Sequence, residues 1–520
     1  MRIIKNWLRR IVTFAGIVAV LVLLARIVFA LPGLEGREAS SYIPPTVETA
    51  LGAVALSNSA AARGESGMFP LFRGAEAFAA RVTLAREAET SIDAQYYIWH
   101  DDLTGLPLLA ELKAAAERGV RVRLLVDDNG TPGLDSELSA LNAMDNFEVR
   151  VFNPFNIRNP RLISYLFDFP RLNRRMHNKS FTVDGAATIV GGRNVGDTYF
   201  SRASESQYSD FDLLMVGPAA TDVSVNFDAF WNSGSSYPHE LLLAPDPAGL
   251  DNLSARLRDA EKAPGWPEYL KSISDSELVS ALKSGKLALE WVPFTLVSDD
   301  PIKGLGKASP DQLMIVRLKD IVGQAESSID LVSAYFIPGD VGTEVLVGAA
   351  RKGIAVRTLT NSVQATDVLP VHAGYSRYRD RLIDGGVEVY ELKAAQSPTQ
   401  SKELGLIGSS AASLHAKTFA LDRNRVFVGS FNFDPRSALL NCEMGVLVES
   451  EALARRMKAD FDGNLDRFAW HVTRGEDGGL IWETVGDDGA AIRLDTEPGL
   501  SWPRRMALRI IAALPVEWML

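Results

Sequence analysis

Residues 177–184 read HNKSFTVD, and residues 415–422 read HAKTFALD, the same pattern 238 positions later. Both copies continue through six residues to a second polar segment, GGRN at 191–194 and GSFN at 429–432. Alternate residues of a strand share a face, so each copy presents a histidine beside a lysine. Such a pair is suited to binding one anion.

The dipeptide Asp184-Gly185 predicts a hairpin, whose return strand brings Asn194 back toward His177. In the second copy, Ser430 and Asn432 return in the same way. A basic pair among apolar strand residues would bury positive charge twice without benefit unless an anion or carboxylate meets it. The repeated spacing therefore indicates a functional site rather than two decorated hairpins.

The sequence around the motif is also repeated. Ser91-Ile92-Asp93 matches Ser328-Ile329-Asp330, and Gly119 matches Gly353, at nearly the same offset. A constant offset across unlike elements is typical of a duplicated domain. Each unit alternates helical and strand patterns. This predicts an α/β fold of two related domains, each with a mostly parallel or mixed sheet flanked by helices.

The length of 520 residues is also too great for one typical core. The pattern divides the chain into six parts. They are an N-terminal hydrophobic helix (1–31), a Gly, Ala, Ser and Pro-rich linker (32–65), a first domain (66–239), a helical connector (240–310), a second domain (311–470) and a C-terminal tail (471–520).

Four basic residues precede the uncharged run of residues 11–25, and apolar residues resume after Arg26. As a signal anchor, the segment reaches spanning length if Arg26 extends to the membrane interface. As a signal peptide, it would be cleaved before Leu31. On either interpretation, most of the chain is exported or held at a membrane.

The composition limits the possible partners. The net charge is −11 and the pI about 5.3, so the chain has no general excess of basic residues for a phosphate backbone, and we expect no nucleic acid partner. Cys442 is the only cysteine, which excludes an intrachain disulfide and a CxxC zinc site. Because the lysine pair already supplies positive charge, we expect no metal and no cofactor.

The pattern His-x-Lys-x4-Asp-x6-Gly-(Gly or Ser)-x-Asn, present twice, resembles the phospholipase D superfamily. The resemblance is closer to its bacterial cardiolipin synthases of the C type, in stretches such as SIDAQYYIWHDDLTG (91–105), GSFNFDPRSALLNCEMG (429–445) and LPVEWML (514–520). It covers nearly everything after residue 60. Gly192, where the second copy has Ser430, departs from the superfamily pattern.

The resemblance implies that the two motifs form one site, with His177 as nucleophile and His415 as general acid and then base. The lysines Lys179 and Lys417, with Asn194, Ser430 and Asn432, would bind the phosphate oxygens. Asp184 and Asp422 complete the catalytic motifs, although a role in bracing the hairpin or pairing with a lysine suits them better. A nucleophilic imidazole needs an acceptor on its other nitrogen, and Asp212 and Glu443 on later strands are the candidates.

The implied reaction is transfer of a phosphatidyl group to phosphatidylglycerol, giving cardiolipin, with phosphatidylethanolamine as the donor. The implied location is the bacterial inner membrane, with a single N-terminal anchor and the site facing the periplasm. A hydrolytic phospholipase D, a nuclease of the superfamily and a non-catalytic membrane scaffold remain alternatives, and an accessory protein is left open. The tail at 502–520, basic and rich in apolar and aromatic residues, fits either the bilayer interface or a helix docked on the domain.

Overall fold

The computed structural model describes residues 2–202, 207–394, 412–463, 465–486, 488–514 and 517–519. The first half of the chain contains an N-terminal helix and an α/β domain. Its elements are α1 (Arg2–Val28), α2 (Ala50–Ser57), β1 (Ser66–Leu71), α3 (Gly74–Glu87), β2 (Ser91–Ile98), α4 (Gly105–Glu117), β3 (Arg121–Gly130), α5 (Asp135–Asn142), β4 (Phe147–Phe152), α6 (Tyr165–Leu172), β5 (Ser180–Val183), β6 (Ala187–Gly191), β7 (Gln207–Ser209), β8 (Asp212–Val216), α7 (Pro218–Trp231) and β9 (Ser236–Pro238).

A connector of three helices and two strands leads into the second domain. Its elements are α8 (Gly249–Ala260), α9 (Trp266–Ser274), α10 (Glu277–Lys283), β10 (Glu290–Val292) and β11 (Phe294–Ser298). The remaining elements are α11 (Met314–Gly323), β12 (Ser328–Ser333), α12 (Gly339–Arg351), β13 (Ala355–Asn361), α13 (Leu369–Asp384), β14 (Glu388–Leu392), β15 (Ala412–Leu414), β16 (Lys417–Leu421), β17 (Arg425–Gly429), α14 (Pro435–Leu439), β18 (Met444–Glu449), α15 (Glu451–Gly463), α16 (Leu465–Phe468), β19 (Ala469–Arg474), β20 (Leu480–Val485), β21 (Ala491–Leu494) and α17 (Trp502–Ala513).

The two domains are built on mixed sheets with matching cores. The first sheet has the order β10-β1-β8-β6-β5-β2-β3-β4-β9, and the second β11-β18-β17-β16-β12-β13-β14-β19-β20-β21. In each, three central strands are parallel, β2-β3-β4 and β12-β13-β14, and the hairpin of the repeated motif pairs antiparallel beside them. The predicted α/β architecture of two related domains is confirmed.

Local sequence explains why the repeat folds twice in the same way. The central strands are buried on both faces, as parallel strands covered by helices must be. Helices α4 and α12 are each followed by a glycine with positive φ, Gly119 and Gly353, which ends the helix in the left-handed region. Asp184 and Gly185 also have positive φ, 53° and 62°, as a tight hairpin turn requires.

Two regions differ from the predicted boundaries. The connector does not stay separate, because β10 adds to the edge of the first sheet and β11 to the edge of the second. The second sheet continues beyond residue 470 through β19, β20 and β21, where Val472, Ile481 and Trp482 are buried. Within the described part of the predicted tail, the segment after β21, which includes α17, lies outside the sheet.

Helix α1 is the one helix in the described chain that is long and apolar enough to cross a membrane, over Ile4–Val28. Its C-terminal end contacts α6. The Nε atom of Arg26 donates to the carbonyl of Phe167 at 2.6 Å, and the ring of Phe29 stacks on that of Phe167. The point where the apolar helix ends is therefore held against the first domain.

Candidate active site

The two halves meet in two short backbone pairings, one beside each histidine. Met176 forms a parallel bridge with Cys442, and the amide of His177 donates to the Cys442 carbonyl at 2.8 Å. On the other side, β7 and β15 form a two-stranded sheet, and the amide of His415 donates to the Ser209 carbonyl at 2.8 Å. Each histidine is therefore positioned by backbone from the opposite half.

His177 and His415 lie just before the strands of their hairpins, because β5 begins at Ser180 and β16 at Lys417. They are nevertheless buried, with 7% and 8% of their surface exposed. The two histidines therefore lie outside the hairpin strands on which the sequence pattern placed them.

The acceptor for His177 comes from the second half. Nδ1 of His177 lies 2.8 Å from Oε2 of Glu443 and 3.1 Å from the carbonyl oxygen of Ser430. Both partners are acceptors when Glu443 is ionised, so Nδ1 carries the proton in that state. The lone pair is then on Nε2, the nitrogen that could attack phosphorus.

The acceptor for His415 comes from the first half. Nδ1 of His415 lies 2.5 Å from Oδ2 of Asp210, a residue that is itself buried. Asp212, predicted as a histidine acceptor, binds elsewhere. Its Oδ2 accepts from Arg81 at 2.9 Å, and its Oδ1 accepts from the amide of Arg193 at 3.1 Å.

The segment SDFD at 209–212 places Asp210 and Asp212 two residues apart, and only Asp212 is among the predicted acceptors. Pattern could not choose between them, because residues two apart face the same way on a strand. Register decides it. Asp212 pairs across the sheet with Gly191, and its counterpart in the second domain is Gly445, which pairs with Gly429. Asp210 is therefore the counterpart of Glu443.

Burial and neighbouring charges make the two histidines unequal. Burial, and then the positive charges of Lys179, Lys417 and His415, lower the pKa of His177 well below its ordinary value. Burial and Lys417 also lower the pKa of His415, but the carboxylate of Asp210 opposes them. Burial tends to raise the pKa of Asp210, yet His415 and Lys417 outweigh it and hold the pKa below its usual range. His415 thus has the ionised partner that stabilises an imidazolium.

The two lysines and Glu443 are buried together, and their charges affect one another's pKa values. Burial lowers the pKa of Lys179 to about 7, and it raises the pKa of Glu443 to about 7 against the charge of Lys179. Burial also lowers the pKa of Lys417. Nζ of Lys179 donates to the carbonyl of His177 at 2.6 Å, and Nζ of Lys417 donates to that of His415. Each lysine is thus anchored to its own histidine.

Three tyrosines, which sequence reasoning missed, pack against the histidine rings. Tyr97 meets His177 edge-on, with ring centroids 5.0 Å apart. Tyr199 and Tyr208 lie 5.2 and 4.9 Å from His415. Tyr97 directly follows the buried part of β2, and Tyr199 follows GGRN by five residues. Both tyrosines thus come just after repeated segments, and this position could have indicated that they lie near the site.

The asparagines and Ser430 occupy the start of the site loops. The side chain of Asn194 accepts from the amide of Ile98 at 3.1 Å and donates to the hydroxyl of Tyr199 at 3.0 Å. Asn432 is buried, and its Oδ1 has no partner within the described chain. The hydroxyl of Ser430 donates to Oε2 of Glu443 at 2.5 Å.

Gly192 cannot carry the serine that the superfamily pattern would place there. A Cβ atom at this position would lie 2.1 Å from Oδ1 of Asp210. In the first domain, the carboxylate of Asp210 therefore occupies the space that a serine side chain would need. In the second domain, the serine is present, and its hydroxyl contacts Glu443.

Asp184 and Asp422 lie away from the histidines, although both were placed in the catalytic set. The carboxylate of Asp184 accepts from the amides of Thr90 and Ser91 at 2.7 and 3.0 Å, and that of Asp422 accepts from the amides of Ser327 and Ser328 at 2.7 and 3.2 Å. Each aspartate directly follows a hairpin strand, at the seventh position after its histidine, and each strand residue adds about 3.3 Å to their separation. They brace the loop that enters the first parallel strand of each sheet.

Other acidic and histidine side chains near the site have structural partners. Asp127 accepts from Nε of Arg175 at 2.8 Å and from the amide of Met176 at 2.9 Å, which secures the residues just before His177. His372 is buried and its Nε2 lies 2.5 Å from Glu497. These contacts give Asp127 and His372 structural roles within the protein.

Comparison with known proteins agrees with the geometry. The sequence profile of the cardiolipin synthase, PLD-like domain matches residues 82–231 and 318–465, one match in each half. The chain is 45% identical over 465 residues to cardiolipin synthase C of Escherichia coli K12, covering 88% of this chain and 97% of that protein. It is 25% identical over 380 residues to cardiolipin synthase B of Shigella flexneri, covering 72% and 75% of the two chains.

Among solved structures, phosphatidylserine synthase from Haemophilus influenzae Rd KW20 superposes with a TM-score of 0.51 at 15% identity, covering 87% of this chain and 95% of that one. That likeness shows a shared fold. Together with the duplicated histidine and lysine motif and the single site formed between the halves, the sequence matches show that this chain belongs to the phospholipase D superfamily, in its cardiolipin synthase family of the C type.

Proposed function

We propose that this phospholipase D-type phosphatidyltransferase forms cardiolipin by a two-step reaction on His177, with phosphatidylglycerol as acceptor and phosphatidylethanolamine as donor. The observation that carries the proposal is the crossed pairing of the site, in which Glu443 orients His177 and Asp210 orients His415. A nucleophile and an acid–base pair with separate carboxylate partners suit double displacement at one phosphorus.

In the first step, Nε2 of His177 donates its lone pair to the phosphorus of the donor lipid. The bond from phosphorus to the head-group oxygen breaks, and His415 gives its proton to that oxygen. Lys179 and Lys417 stabilise the charge on the non-bridging oxygens, where their burial makes the interaction strong. The product is a phosphatidyl-histidine and a free head-group alcohol.

In the second step, His415 accepts the proton of a hydroxyl on phosphatidylglycerol, and the resulting oxygen attacks phosphorus. The bond from phosphorus to Nε2 breaks, which restores neutral His177 and releases cardiolipin. The low pKa of His177 supports this cycle because a neutral imidazole is both the nucleophile and the leaving group. Ionised Asp210 supports the role of His415, because it stabilises the protonated ring that exists before the first step and again after the second.

Lipid substrates also fit the surface of the chain. Helix α17 packs by Leu508 and Ile511 against the second domain, while Trp502 and Ile510 are 74% and 60% exposed. Arg504, Arg505 and Arg509 are exposed on the same helix. An exposed apolar stripe with flanking arginines suits an anionic membrane interface. Helix α17 is thus a docked helix that also presents an interfacial face.

We assign α1 as an uncleaved anchor in the bacterial inner membrane, with the site on the periplasmic side. The contact of Arg26 and Phe29 with Phe167 supports retention, because cleavage before Leu31 would remove both partners. Basic residues in the first turns of α1 support a cytoplasmic N-terminus. The acidic charge of the chain argues against a nuclease.

The test is product analysis with the purified full-length chain and labelled phosphatidylglycerol and phosphatidylethanolamine. We expect labelled cardiolipin and release of ethanolamine. Release of phosphatidic acid alone would show that water, not an alcohol, reaches the intermediate, and would make the protein a hydrolase. Salt-sensitive DNA binding with cleavage would instead support the nuclease.

A further inference from the structure

The second domain contains an apolar cavity beside the catalytic loop. Its volume is about 330 Å³, which lies at the lower end of the range for ligand cavities, about 300–1,000 Å³. Helices α11 and α12 form two walls, and the loop from Phe431 to α14 forms a third. Apart from Lys319 and Asp434, the residues that line it are apolar, glycine or proline.

The matching space in the first domain is filled. Phe78 and Phe200 pack there with ring centroids 5.2 Å apart, and Tyr269 from connector helix α9 covers them. The hydroxyl of Tyr269 donates to the carbonyl of Phe200 at 2.7 Å.

At the equivalent positions, 237 and 238 residues later, the second domain has the smaller Ile315 and Ala438. Both line the cavity. Helix α17, which follows the second domain, packs on α13 through Leu508 instead of entering this space. The cavity is therefore particular to the second half and is not a general feature of the repeated fold.

The inner end of the cavity is formed by the loop that also contacts His177. Phe431 and Phe433 line it, and they flank Asn432 in the segment that begins with Ser430. The carbonyl of Ser430 lies 3.1 Å from Nδ1 of His177. A ligand in the cavity would thus sit one residue away from the loop that holds the nucleophile.

The outer end of the cavity is exposed, and successive contacts link it to the end of α1. Val341 and Leu439 line the cavity and are 64% and 56% exposed. Arg436, on the same helix as Leu439, donates to the carbonyl of Asn173 at 3.0 Å, just after α6. Helix α6 in turn contacts Arg26 at the end of the apolar helix.

Exposed apolar side chains continue across this face of the molecule. Leu162 and Leu166 are 74% and 77% exposed on and just before α6. Trp518 is half exposed and packs edge-on against Phe169 of α6, with ring centroids 6.4 Å apart. A membrane that contains α1 would meet this surface, and with it the mouth of the cavity.

We propose that this cavity binds one acyl chain of a substrate phospholipid while its phosphate lies between His177 and His415. The inference rests on the proposed function, since it gives the site a diacyl lipid substrate. An apolar cavity with one end at the phosphate site and the other at the membrane face suits a hydrocarbon chain. The acyl chain would position the lipid without contact to the reacting atoms.

A matched pair of substitutions tests the proposal. Val345→Phe on α12 adds bulk to the lining, whereas Val316→Phe on α11 makes the same change at a position outside the lining. Ala438→Phe restores the size of Phe200 and serves as a second blocking variant. Each full-length variant would be assayed with long-chain phosphatidylglycerol, with dihexanoyl phosphatidylglycerol and with the soluble diester bis(p-nitrophenyl) phosphate.

We expect both blocking variants to lower kcat/KM for the long-chain lipid roughly tenfold or more, mainly through KM, because substrate binding is lost and chemistry is not. Turnover of bis(p-nitrophenyl) phosphate should stay at the level of the unmodified chain, and this also shows that the variants are folded. Val316→Phe should behave like the unmodified chain. An equal response to long-chain and dihexanoyl lipid in both blocking variants would overturn the proposal.

Direct occupancy can be measured with phosphatidylglycerol that carries a diazirine near the end of one acyl chain. Irradiation in mixed micelles should label residues of α11, α12 or α14, and Val345→Phe should abolish that label. Labelling confined to α1, α6 or α17 would overturn the assignment. A helix of a partner protein found in the cavity would also overturn it. If the chain makes no cardiolipin but is labelled in the cavity, the proposed function fails and the lipid site stands.

Discussion

Asp210, in the first half of the chain, accepts a hydrogen bond from Nδ1 of His415 in the second half, and Asp212 two residues later pairs with Arg81 instead. The two aspartates are similarly buried and close in sequence, but they have different structural roles. One orients a catalytic ring, and the other neutralises a buried guanidinium. This difference leads to contrasting effects of the same substitution.

Asp210→Asn should lower kcat by about 10²–10⁴-fold, because an amide no longer holds the tautomer of His415 or stabilises its protonated form. The melting temperature should change little. Asp212→Asn should instead destabilise the chain by about 3–5 kcal/mol, since it leaves Arg81 buried beside a neutral group. Cardiolipin formation and thermal unfolding of the two variants would be compared. A large loss of kcat in a stable Asp212→Asn protein would contradict the pairing.

Alanine variants of the two histidines should respond differently when the leaving group of the substrate is changed. His177→Ala should abolish turnover of every substrate together with the acid-labile phospho-adduct, because the nucleophile is gone. His415→Ala should lose about 10²–10⁴-fold in turnover of natural lipids. The loss should be much smaller in the first-turnover release of p-nitrophenol from a phosphatidyl ester, because that leaving group needs no proton, whereas the second step still lacks its base. Quenched samples would be analysed for phosphohistidine. A normal adduct level in His177→Ala would exclude the assigned roles.

The pH profile of kcat/KM should be bell-shaped with a maximum near pH 7. Below about pH 7, protonation of Glu443 removes the acceptor that orients His177, so the rate falls as the pH decreases. Above about pH 7, Lys179 loses its proton and its positive charge, so the rate falls as the pH increases. The two limbs belong to a coupled pair, and the observed pKa values are macroscopic.

Lys179→Arg provides the control for that profile. Arginine remains charged throughout the accessible range, so the alkaline limb should move to higher pH while the acid limb stays. Glu443→Gln should have the complementary effect and remove the acid limb at a low overall rate. An alkaline limb that is unchanged in Lys179→Arg would assign it to another group.

Gly192→Ser should strongly impair the enzyme, although it makes the first motif more like the second. The added Cβ would lie 2.1 Å from Oδ1 of Asp210 and would force that carboxylate away from His415. We expect a fall in kcat of about 10²-fold, comparable to the loss of an orienting hydrogen bond at an active site. Ser430→Gly, the reverse change, should be milder because Glu443 still reaches His177. Full activity of Gly192→Ser would show that Asp210 can orient His415 from another position.

Asp184→Asn and Asp422→Asn should affect stability rather than catalysis. Each aspartate accepts hydrogen bonds from backbone amides at the start of a central strand, and bonds to a charged group contribute about 1.5–3 kcal/mol. Chemical denaturation should show a loss of that order, with kcat within a few-fold of the unmodified chain below the melting temperature. A selective loss of kcat would restore these aspartates to the catalytic set.

The repeated motif carried most of what could be predicted. An offset shared by His177 and His415 and by ordinary helix and strand residues indicated two related domains, and the structure has two mixed sheets with the same central topology. Polar identity repeated at matching positions also indicated one site, since packing alone does not require a histidine beside a lysine. Glu443 could be predicted because it directly precedes the apolar strand β18.

Other features depended on information that spacing does not contain. Asp210 follows Gly192 by 18 residues, whereas Glu443 follows Ser430 by 13, so a loop of different length hid their equivalence. The choice between Asp210 and Asp212 needed the register of β6 and β8. The crossing of partners between halves needed the interface itself, because a motif predicts which residues share a strand face but not which domain supplies their neighbours.

The crossed partners also bear on how such a chain could have arisen. A single ancestral domain would have carried a histidine without its own carboxylate, and so it could have worked only as a symmetric dimer in which each copy completed the other. Duplication and fusion into one chain made that exchange permanent, and the two copies could then diverge in sequence. Glycine and aspartate in one half and serine and glutamate in the other show how far the two have since specialised around a shared site.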